Sequence, residues 1–252
     1  MKLALLIGIN YKDIEGSELF GCIDDVLRMQ EMLIHEMDFE EQNIIVLRDD
    51  SDDRNLYPTK KNILRKMEEF IYNSNSDDEL WFHYSGHGSI RRDRSNDEKD
   101  NIDSVLIPND FQTNGVILDD DIYAIIKGVK GTLFLLFDCC HSGSICDLPW
   151  AVQYIDDKIT KTNINTNQLE NTNIYAISGS TDMQLSMENY NDFLQKKVGA
   201  LTNAFLMLLH NNKYNVSIED LFIEICRYLI YSGLEQTPIL STTTNKITYI
   251  VK

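Results

Sequence analysis

The chain has 252 residues, 43% of them apolar and 25% charged, which is the composition of an ordinary globular protein. Its formal net charge of -17 disfavours binding to nucleic acid or anionic lipid and favours cationic ligands, although a role in solubility alone would also explain it. No apolar run approaches the ~20 residues of a membrane span, so we expect no membrane insertion.

The cysteines and the first residues of the chain indicate the cellular compartment. Five cysteines, two of them adjacent, lack the paired spacing of a disulfide framework, which favours a reducing environment. Residues 1–7 resemble the start of a signal peptide, but the apolar run is short, no small-residue cleavage site follows, and Asn10 and Lys12 end it. A first core strand is the better interpretation, and we expect a cytoplasmic protein.

Apolar runs and helical periodicities alternate along the first half of the chain. The pattern predicts a strand over 2–9, a helix over 22–37, a strand over 43–47, a helix capped by Thr59, and a strand around Leu80. The charged segment 89–101 is predicted to be a loop, and 105–108 a short strand that Pro108 ends. Three acids from Asp119 begin a further helix, because acidic side chains suit the positive end of a helix dipole.

The second half continues the alternation after a long polar interruption. It predicts strands over 132–137, 173–178 and 246–251, helices over 201–210 and 218–230, and a surface loop over 148–172, which is rich in Asn and Thr. Alternating strands and helices predict an α/β fold with a mainly parallel sheet covered on both faces. We expect a single domain over 1–252, with halves 1–147 and 173–252 on either side of the loop.

Two polar segments follow predicted buried strands. YSGHG (84–88) follows one strand, and DCCHSG (138–143) follows another. Because the carboxyl ends of parallel strands share one edge of a sheet, His87 and Cys140 are expected at the same edge. An imidazole beside a thiol is a base beside a nucleophile, which suits acyl transfer, and the backbone N–H groups of Gly88 and Cys140 could hold an oxyanion.

These residues also have simpler interpretations. A lone histidine is more often structural, but His87 lies between two glycines directly after a strand. Cys139 is expected to be the buried, inert cysteine of the pair. A zinc site is disfavoured because adjacent ligands do not easily share one tetrahedral ion and there is no C-x-x-C pair.

Taken together, these segments resemble the metacaspases, which are caspase-like cysteine peptidases. The resemblance extends to ALLIGINY (4–11), GCIDD (21–25), SGSTDMQ (178–184), GALTNAF (199–205) and QTP (236–238). From it we expect a catalytic core without an N-terminal extension. It implies a caspase-like three-layer αβα sandwich with a mainly parallel central sheet. It also implies a cysteine endopeptidase that acts on peptide or protein substrates, as a monomer and without an organic cofactor.

The resemblance further implies cleavage after arginine or lysine. Matching the family's pocket by motif places four residues around the substrate cation, with Asp182 as a further candidate: Cys22, Asp25, Ser85 and Asp138. A guanidinium independently requires an acidic, planar acceptor site. Alternation along a strand directs Ser85 and Asp138 to the same face as His87 and Cys140, respectively. An acid that merely begins a helix is the alternative interpretation of Asp25.

Calcium is the cofactor that the resemblance implies. The candidate ligands by motif are Asp103, Asp119, Asp120 and Asp147, and carboxylates from separate loops suit a cation that prefers oxygen. No EF-hand pattern is present. Solvated turn acids and helix-start acids are the alternative interpretation.

Three questions stay open from the residues alone. The sequence does not show a third catalytic residue. A related peptidase specific for asparagine or aspartate, and a catalytically silent scaffold on the same fold, are the rival interpretations. Lys158, Lys161, Lys196 and Lys197 are candidate self-cleavage sites, although ordinary surface lysines are the simpler interpretation.

Overall fold

The computed structural model describes residues 1–92, 102–140, 143, 145–165, 169–179, 188–191, 196–234 and 236–252. The strands among them are β1 (Lys2–Gly8), β2 (Ile44–Arg48), β3 (Glu79–Ser85), β4 (Gly88–Arg92), β5 (Ile102–Leu106), β6 (Ile117–Leu118), β7 (Thr132–Asp138), β8 (Trp150–Ile155), β9 (Lys158–Asn163), β10 (Ile174–Ser178), β11 (Glu188–Asn191), β12 (Lys196–Gly199), β13 (Val216–Ser217), β14 (Ile239–Thr242) and β15 (Ile250–Val251). The helices are α1 (Cys22–Glu36), α2 (Lys60–Tyr72), α3 (Phe111–Asn114), α4 (Asp119–Ile126), α5 (Ala200–Asn211) and α6 (Ile218–Tyr231).

The central sheet contains eight of the described strands, in the order β2-β1-β3-β7-β10-β14-β8-β9. The five strands from β2 to β10 are parallel, whereas β14, β8 and β9 each pair antiparallel with the strand before them in that order. Strands from both predicted halves of the chain therefore lie in one mainly parallel sheet. The small sheets are β4-β5-β6, β11-β12 and β13-β15.

Helices cover both faces of the sheet, as the alternation predicts. One buried apolar cluster joins α1, α5 and α6 to the sheet through residues such as Val26, Phe205 and Phe222. The other joins α2 and α4 to the opposite face through Ile63 and Ile122. Residues of the parallel strands are buried on both faces, which is why those strands appear in the sequence as continuous apolar runs.

The prediction of a long surface loop over 148–172 is wrong. This segment contains β8 and β9, a hairpin that extends the central sheet. Ala151, Val152 and Tyr154 of β8 are buried, but β9 is an edge strand whose side chains are largely exposed. An exposed edge strand carries no apolar alternation, so its sequence looks like that of a loop.

Two further strand predictions need correction. The last strand of the central sheet is β14, whereas β15, in the segment predicted as that strand, is two residues long and pairs with β13. The predicted loop over 89–101 begins as a strand, because β4 pairs with β5 as far as Arg92. Residues 93–101 lie outside the described part.

The structure confirms the predicted helices, and their ends lie close to the predicted ends. Thr59 caps α2 as predicted, since its hydroxyl accepts a hydrogen bond from the Asn62 N–H at 3.2 Å. Asp119 begins α4, whose first turn contains the three acids. Among the described residues, no helix combines the length and the apolar character needed to cross a bilayer.

Candidate active site

The predicted histidine and cysteine segments lie at one edge of the sheet. β3 and β7 are adjacent and parallel, and Ser85 pairs with Asp138 in register at their carboxyl ends. His87 and Cys140 each follow two residues later. The topology therefore brings the two segments together, as the sequence predicts.

Two buried tyrosines hold the backbone of His87. The His87 N–H donates to the Tyr11 hydroxyl at 3.0 Å, and the Tyr84 hydroxyl donates to the His87 carbonyl at 2.9 Å. The Tyr11 ring packs on the imidazole with centroids 4.7 Å apart. Burial raises the pKa of both phenols well above the usual value, so both remain neutral donors and acceptors.

The imidazole of His87 contacts a backbone carbonyl. Its Nε2 lies 2.8 Å from the Ser17 oxygen, in the segment that joins β1 to α1. Because a carbonyl only accepts, this contact fixes the tautomer with the proton on Nε2 and leaves Nδ1 as the basic nitrogen. Sequence reasoning missed this orienting group, and no side-chain signal could have revealed it because the acceptor is backbone.

Gly88 packs directly against the cysteine segment. A Cβ atom on Gly88 would lie 2.0 Å from the Cys140 carbonyl oxygen and 3.1 Å from the Cys139 sulfur. Glycine is thus required here because another backbone approaches so closely. Cys139 is buried, as predicted, and Cys140 is partly exposed.

Two carboxyl groups meet beside Gly199, at the same edge of the sheet. A Cβ atom on Gly199 would lie 2.2 Å from Asp138 Oδ2 and 2.6 Å from Asp25 Oδ2. These oxygens are therefore less than ~5 Å apart, within the range at which like charges raise a carboxyl pKa. Ser85 donates its hydroxyl to Asp25 Oδ2 at 2.9 Å. The structure thus brings together three of the four residues predicted for the pocket.

Backbone N–H groups near the start of α5 hold both carboxyl groups. Gly199 N–H donates to Asp25 Oδ2 at 3.0 Å, and Thr202 N–H donates to Asp138 Oδ2 at 2.8 Å. Both acids are almost fully buried. Burial, and then the neighbouring charge of Asp138, raise the pKa of Asp25 to about 8. The Asp25 carboxyl group is therefore largely protonated at neutral pH when no cation is present.

The side chain of Asn10, which follows β1, caps the helix that carries Asp25. Gly21 precedes α1 and has no side chain to cap it, but Asn10 Oδ1 accepts hydrogen bonds from the N–H groups of Cys22 and Ile23 at 3.1 and 3.3 Å. Cys22 is buried at the first position of α1, three residues before Asp25. Asp182, the further pocket candidate, lies outside the described residues.

The four calcium candidates occupy neighbouring segments, and three of them are buried: Asp103, Asp119 and Asp147. Asp119 accepts a hydrogen bond from Ser104 N–H, next to Asp103. After burial, the charges of Asp147 and Asp119 raise the pKa of the Cys146 thiol, so both carboxylates lie near this cysteine. Asp120 follows Asp119 in the first turn of α4 and is partly buried.

Whether these carboxylates suit a metal ion depends on their donor atoms and on their positions. Buried carboxylate oxygens are suitable ligands for a hard cation. However, among the described residues no three His, Cys, Asp or Glu side chains are arranged to hold an ion, and the Arg91 guanidinium contacts Asp103 at 3.0 Å. The donor chemistry fits calcium, and the carboxylates would have to converge to bind it.

The candidate self-cleavage lysines lie in strands. Lys158 and Lys161 belong to β9, and Lys196 and Lys197 belong to β12. Pairing with β8 disfavours Lys158 and Lys161 as cleavage sites, because a peptidase binds an extended chain that is not already paired in a sheet.

The fold is shared with caspases. Caspase-1 from Spodoptera frugiperda superposes with a TM-score of 0.64 at 11% identity, covering 98% of this chain and 90% of that one. A Geobacter sulfurreducens protein superposes with a TM-score of 0.67 at 20% identity, covering 97% and 94%. The architecture and the paired histidine and cysteine segments define a protein of the caspase-like fold class.

Sequence relatives give the family. Residues 2–149 match the family described as "Metacaspase, peptidase C14 domain". Metacaspase-1 of Eremothecium gossypii is 39% identical over 202 residues, covering 77% of this chain and 44% of that protein. Metacaspase III c of Phaeodactylum tricornutum is 41% identical over 170 residues, covering 65% and 49%. The chain belongs to the metacaspase family, and it spans about half the length of these curated relatives.

Proposed function

We propose that this chain is a cysteine endopeptidase that cleaves peptide bonds after arginine or lysine. The observation that carries the proposal is the pair of buried carboxyl groups, Asp25 and Asp138, at the same edge of the sheet as His87 and Cys140. Two carboxyl groups, together with the Ser85 hydroxyl that contacts Asp25, suit a guanidinium or ammonium group and repel an acidic side chain. Family membership supports the peptidase chemistry.

His87 and Cys140 carry the chemistry in this proposal. The Ser17 carbonyl holds Nε2–H, so Nδ1 accepts the proton of the Cys140 thiol. The sulfur attacks the scissile carbonyl to form a tetrahedral intermediate. His87 then returns the proton to the leaving amine, and water attacks the resulting thioester with His87 again as base.

The N–H groups of Gly88 and Cys140 stabilise the oxyanion of that intermediate. The close packing of Gly88 on the Cys140 carbonyl keeps the two backbone segments together. The loss of one such donor typically lowers the rate ~10²–10³-fold. Cys22, which is buried at the start of α1, and Asp182 are further candidates for the pocket.

We also propose calcium as an activator, held by Asp103, Asp119, Asp120 and Asp147. When bound, calcium would supply positive charge among buried carboxylates. Asp103 lies opposite Arg91 in the β4-β5 ladder, and the same ladder pairs Gly88 with Leu106. Because the two pairs belong to one ladder, calcium bound at the acidic residues would also fix the position of Gly88, the residue next to His87.

A substrate panel tests the specificity and the nucleophile. Peptides that differ only in having arginine, lysine, asparagine or aspartate before the cleaved bond are assayed with wild type, Cys140→Ala and Cys139→Ala. We expect cleavage after the basic residues, its loss in Cys140→Ala, and its retention in Cys139→Ala. Cleavage after asparagine or aspartate instead would contradict the proposed specificity, and equal loss in both variants would contradict the assignment of the nucleophile.

Calcium is tested separately by titration calorimetry. The Cys140→Ala protein is used because it does not cleave itself during the measurement. We expect calcium binding that Asp119→Asn weakens and that the exposed control Asp77→Asn leaves unchanged. Equal binding by both variants, or no binding by the parent, would exclude this site.

A further inference from the structure

Arg28 lies one helical turn after Asp25 and bridges α1 to α5. Its Nη1 lies 4.0 Å from Asp25 Oδ1, and its Nη2 donates to Asn203 Oδ1 at 3.0 Å. The side chain is 25% exposed, so most of its charge is shielded from water. The guanidinium therefore lies on the side of Asp25 away from the oxygen that meets Asp138.

Two complementary polar atoms remain without hydrogen bonds at this contact. Among the described residues, Asp25 Oδ1 and Arg28 Nη1 are buried and have no hydrogen-bond partner. The other oxygen of Asp25 accepts from both Ser85 and Gly199. In the described part of the chain, the positive charge of Arg28 compensates the burial of Oδ1, at a distance slightly too long for a hydrogen bond.

The groups around Asp25 have opposing effects on its charge. Burial and Asp138 raise the pKa of Asp25, whereas the Ser85 hydroxyl, the Gly199 N–H and the Arg28 charge lower it, with a result of about 8. Burial lowers the pKa of Arg28, and Asp25, Asp24 and Glu31 raise it. Because Asp25 titrates near neutrality, the loss of one nearby charge changes how much of it is ionised at physiological pH.

We propose that Arg28 is a positioning residue for the specificity pocket, which keeps Asp25 available as a carboxylate for the basic side chain of the substrate. This inference rests on the proposed function. A substrate cation that enters the pocket must find Asp25 ionised or displace its proton. Arg28 stabilises the ionised form from behind, and Asn203 holds the guanidinium in place.

The charge of Asp25 is measured first, without substrate. Carboxyl-carbon NMR follows the titration of Asp25 in the Cys140→Ala protein and in the same protein with Arg28→Met or Arg28→Lys added. Arg65→Met, on α2, is the matched control. We expect Arg28→Met to raise the titration midpoint by about one pH unit, roughly the effect of one nearby charge. Arg28→Lys should retain most of the parent behaviour, and Arg65→Met should not differ from the parent. An unchanged midpoint in Arg28→Met would overturn the proposal.

Kinetics with an arginine peptide provide the second measurement. For Arg28→Met we expect KM to rise about tenfold at pH 7, because one pKa unit corresponds to a factor of ten. We expect kcat to change little and the difference in KM to decrease as pH rises above 8. A rise in KM that is equal at all pH values, or a loss confined to kcat, would show a merely structural role and overturn the proposal.

Two results keep the outcomes distinct. If Arg28→Met does not fold, Asn203→Ala releases the guanidinium without removing its charge. This variant should raise KM at pH 7 by a smaller factor than the tenfold expected for Arg28→Met. An Asn203→Ala protein with parental KM and parental Asp25 titration would then count against the proposal. If wild type cleaves after no basic residue while the NMR shift is observed, the proposed function fails and the role of Arg28 in setting the charge of Asp25 stands.

Discussion

Asp25 has two roles that conflict with each other. As part of the proposed pocket it attracts a cation, but in the folded chain without substrate it is a buried acid next to another acid. Its pKa of about 8 compares with 3.8 for an ordinary aspartate. Between these values the folded chain binds more protons than the unfolded chain, so this residue lowers the free energy of unfolding as pH rises from about 4 to about 8.

Asp25→Asn should remove this pH dependence. An amide does not ionise in this range, so we expect the variant to be more stable than wild type above pH 8. The expected difference is on the order of 1–3 kcal/mol, the range that mutational data give for burying a polar group without full compensation. Urea unfolding over a series of pH values measures the difference. The exposed control Asp77→Asn should follow wild type, and parallel curves for wild type and Asp25→Asn would contradict the prediction. Cleavage after arginine should fall in the same variant.

At the scale of elements, the start of α5 forms one wall of the proposed pocket. Gly199 and Thr202 donate backbone hydrogen bonds to the two acids from the first turn of this helix and the residue before it. The backbone of Gly199 has φ -63° and ψ 131°, a conformation open to any residue. What requires glycine is therefore the space occupied by the two carboxyl groups, not the backbone geometry.

Gly199→Ala should accordingly damage the pocket more than the fold. The new methyl group would lie too close to both carboxyl oxygens and displace them, and a displacement of about 1 Å can lower a rate ~10²-fold. We expect a loss of that size in kcat/KM for arginine peptides. Gly128→Ala is the matched control, because its nearest neighbour is the exposed ring of Tyr72, which can move. Equal activity in the two variants would contradict the proposed position of the pocket.

At the scale of the whole molecule, the edge strand β9 bears on whether copies of the chain associate through the central sheet. β9 lies at one edge with Lys158, Thr160 and Lys161 exposed, and lysine on an edge strand disfavours pairing with another chain. Lys161 also forms an ion pair with Glu219 of α6. The net charge of -17 adds repulsion between copies. From these features we predict a monomer.

Light scattering at increasing concentration tests the monomer. We expect wild type to keep the mass of one chain, and the double variant Lys158→Val with Thr160→Val to associate, since it presents an apolar edge. Lys130→Val changes an exposed lysine outside the strands and should behave as wild type. A wild-type dimer would show that the edge is not protected in this way.

The sequence alone predicted the parallel core, most helices, and the edge of the sheet where His87 and Cys140 lie. These features were predictable because buried strands and amphipathic helices have local apolar patterns, and because glycine and polar residues mark the ends of strands. Thr59 at the start of α2 is a further example, since a cap is a local interaction. Most pocket residues could be named only through the family resemblance.

Tertiary structure decided the rest. β8, β9 and β14 form strands because of the neighbours they pair with, and an exposed or very short strand leaves little pattern in the sequence. The orienting contact of His87 is made by the Ser17 backbone carbonyl, which every residue type possesses. The electrostatic coupling of Asp25 with Asp138 and Arg28 exists only after α1, β7 and α5 meet. Such coupling depends on distance and burial, which residue identity does not specify.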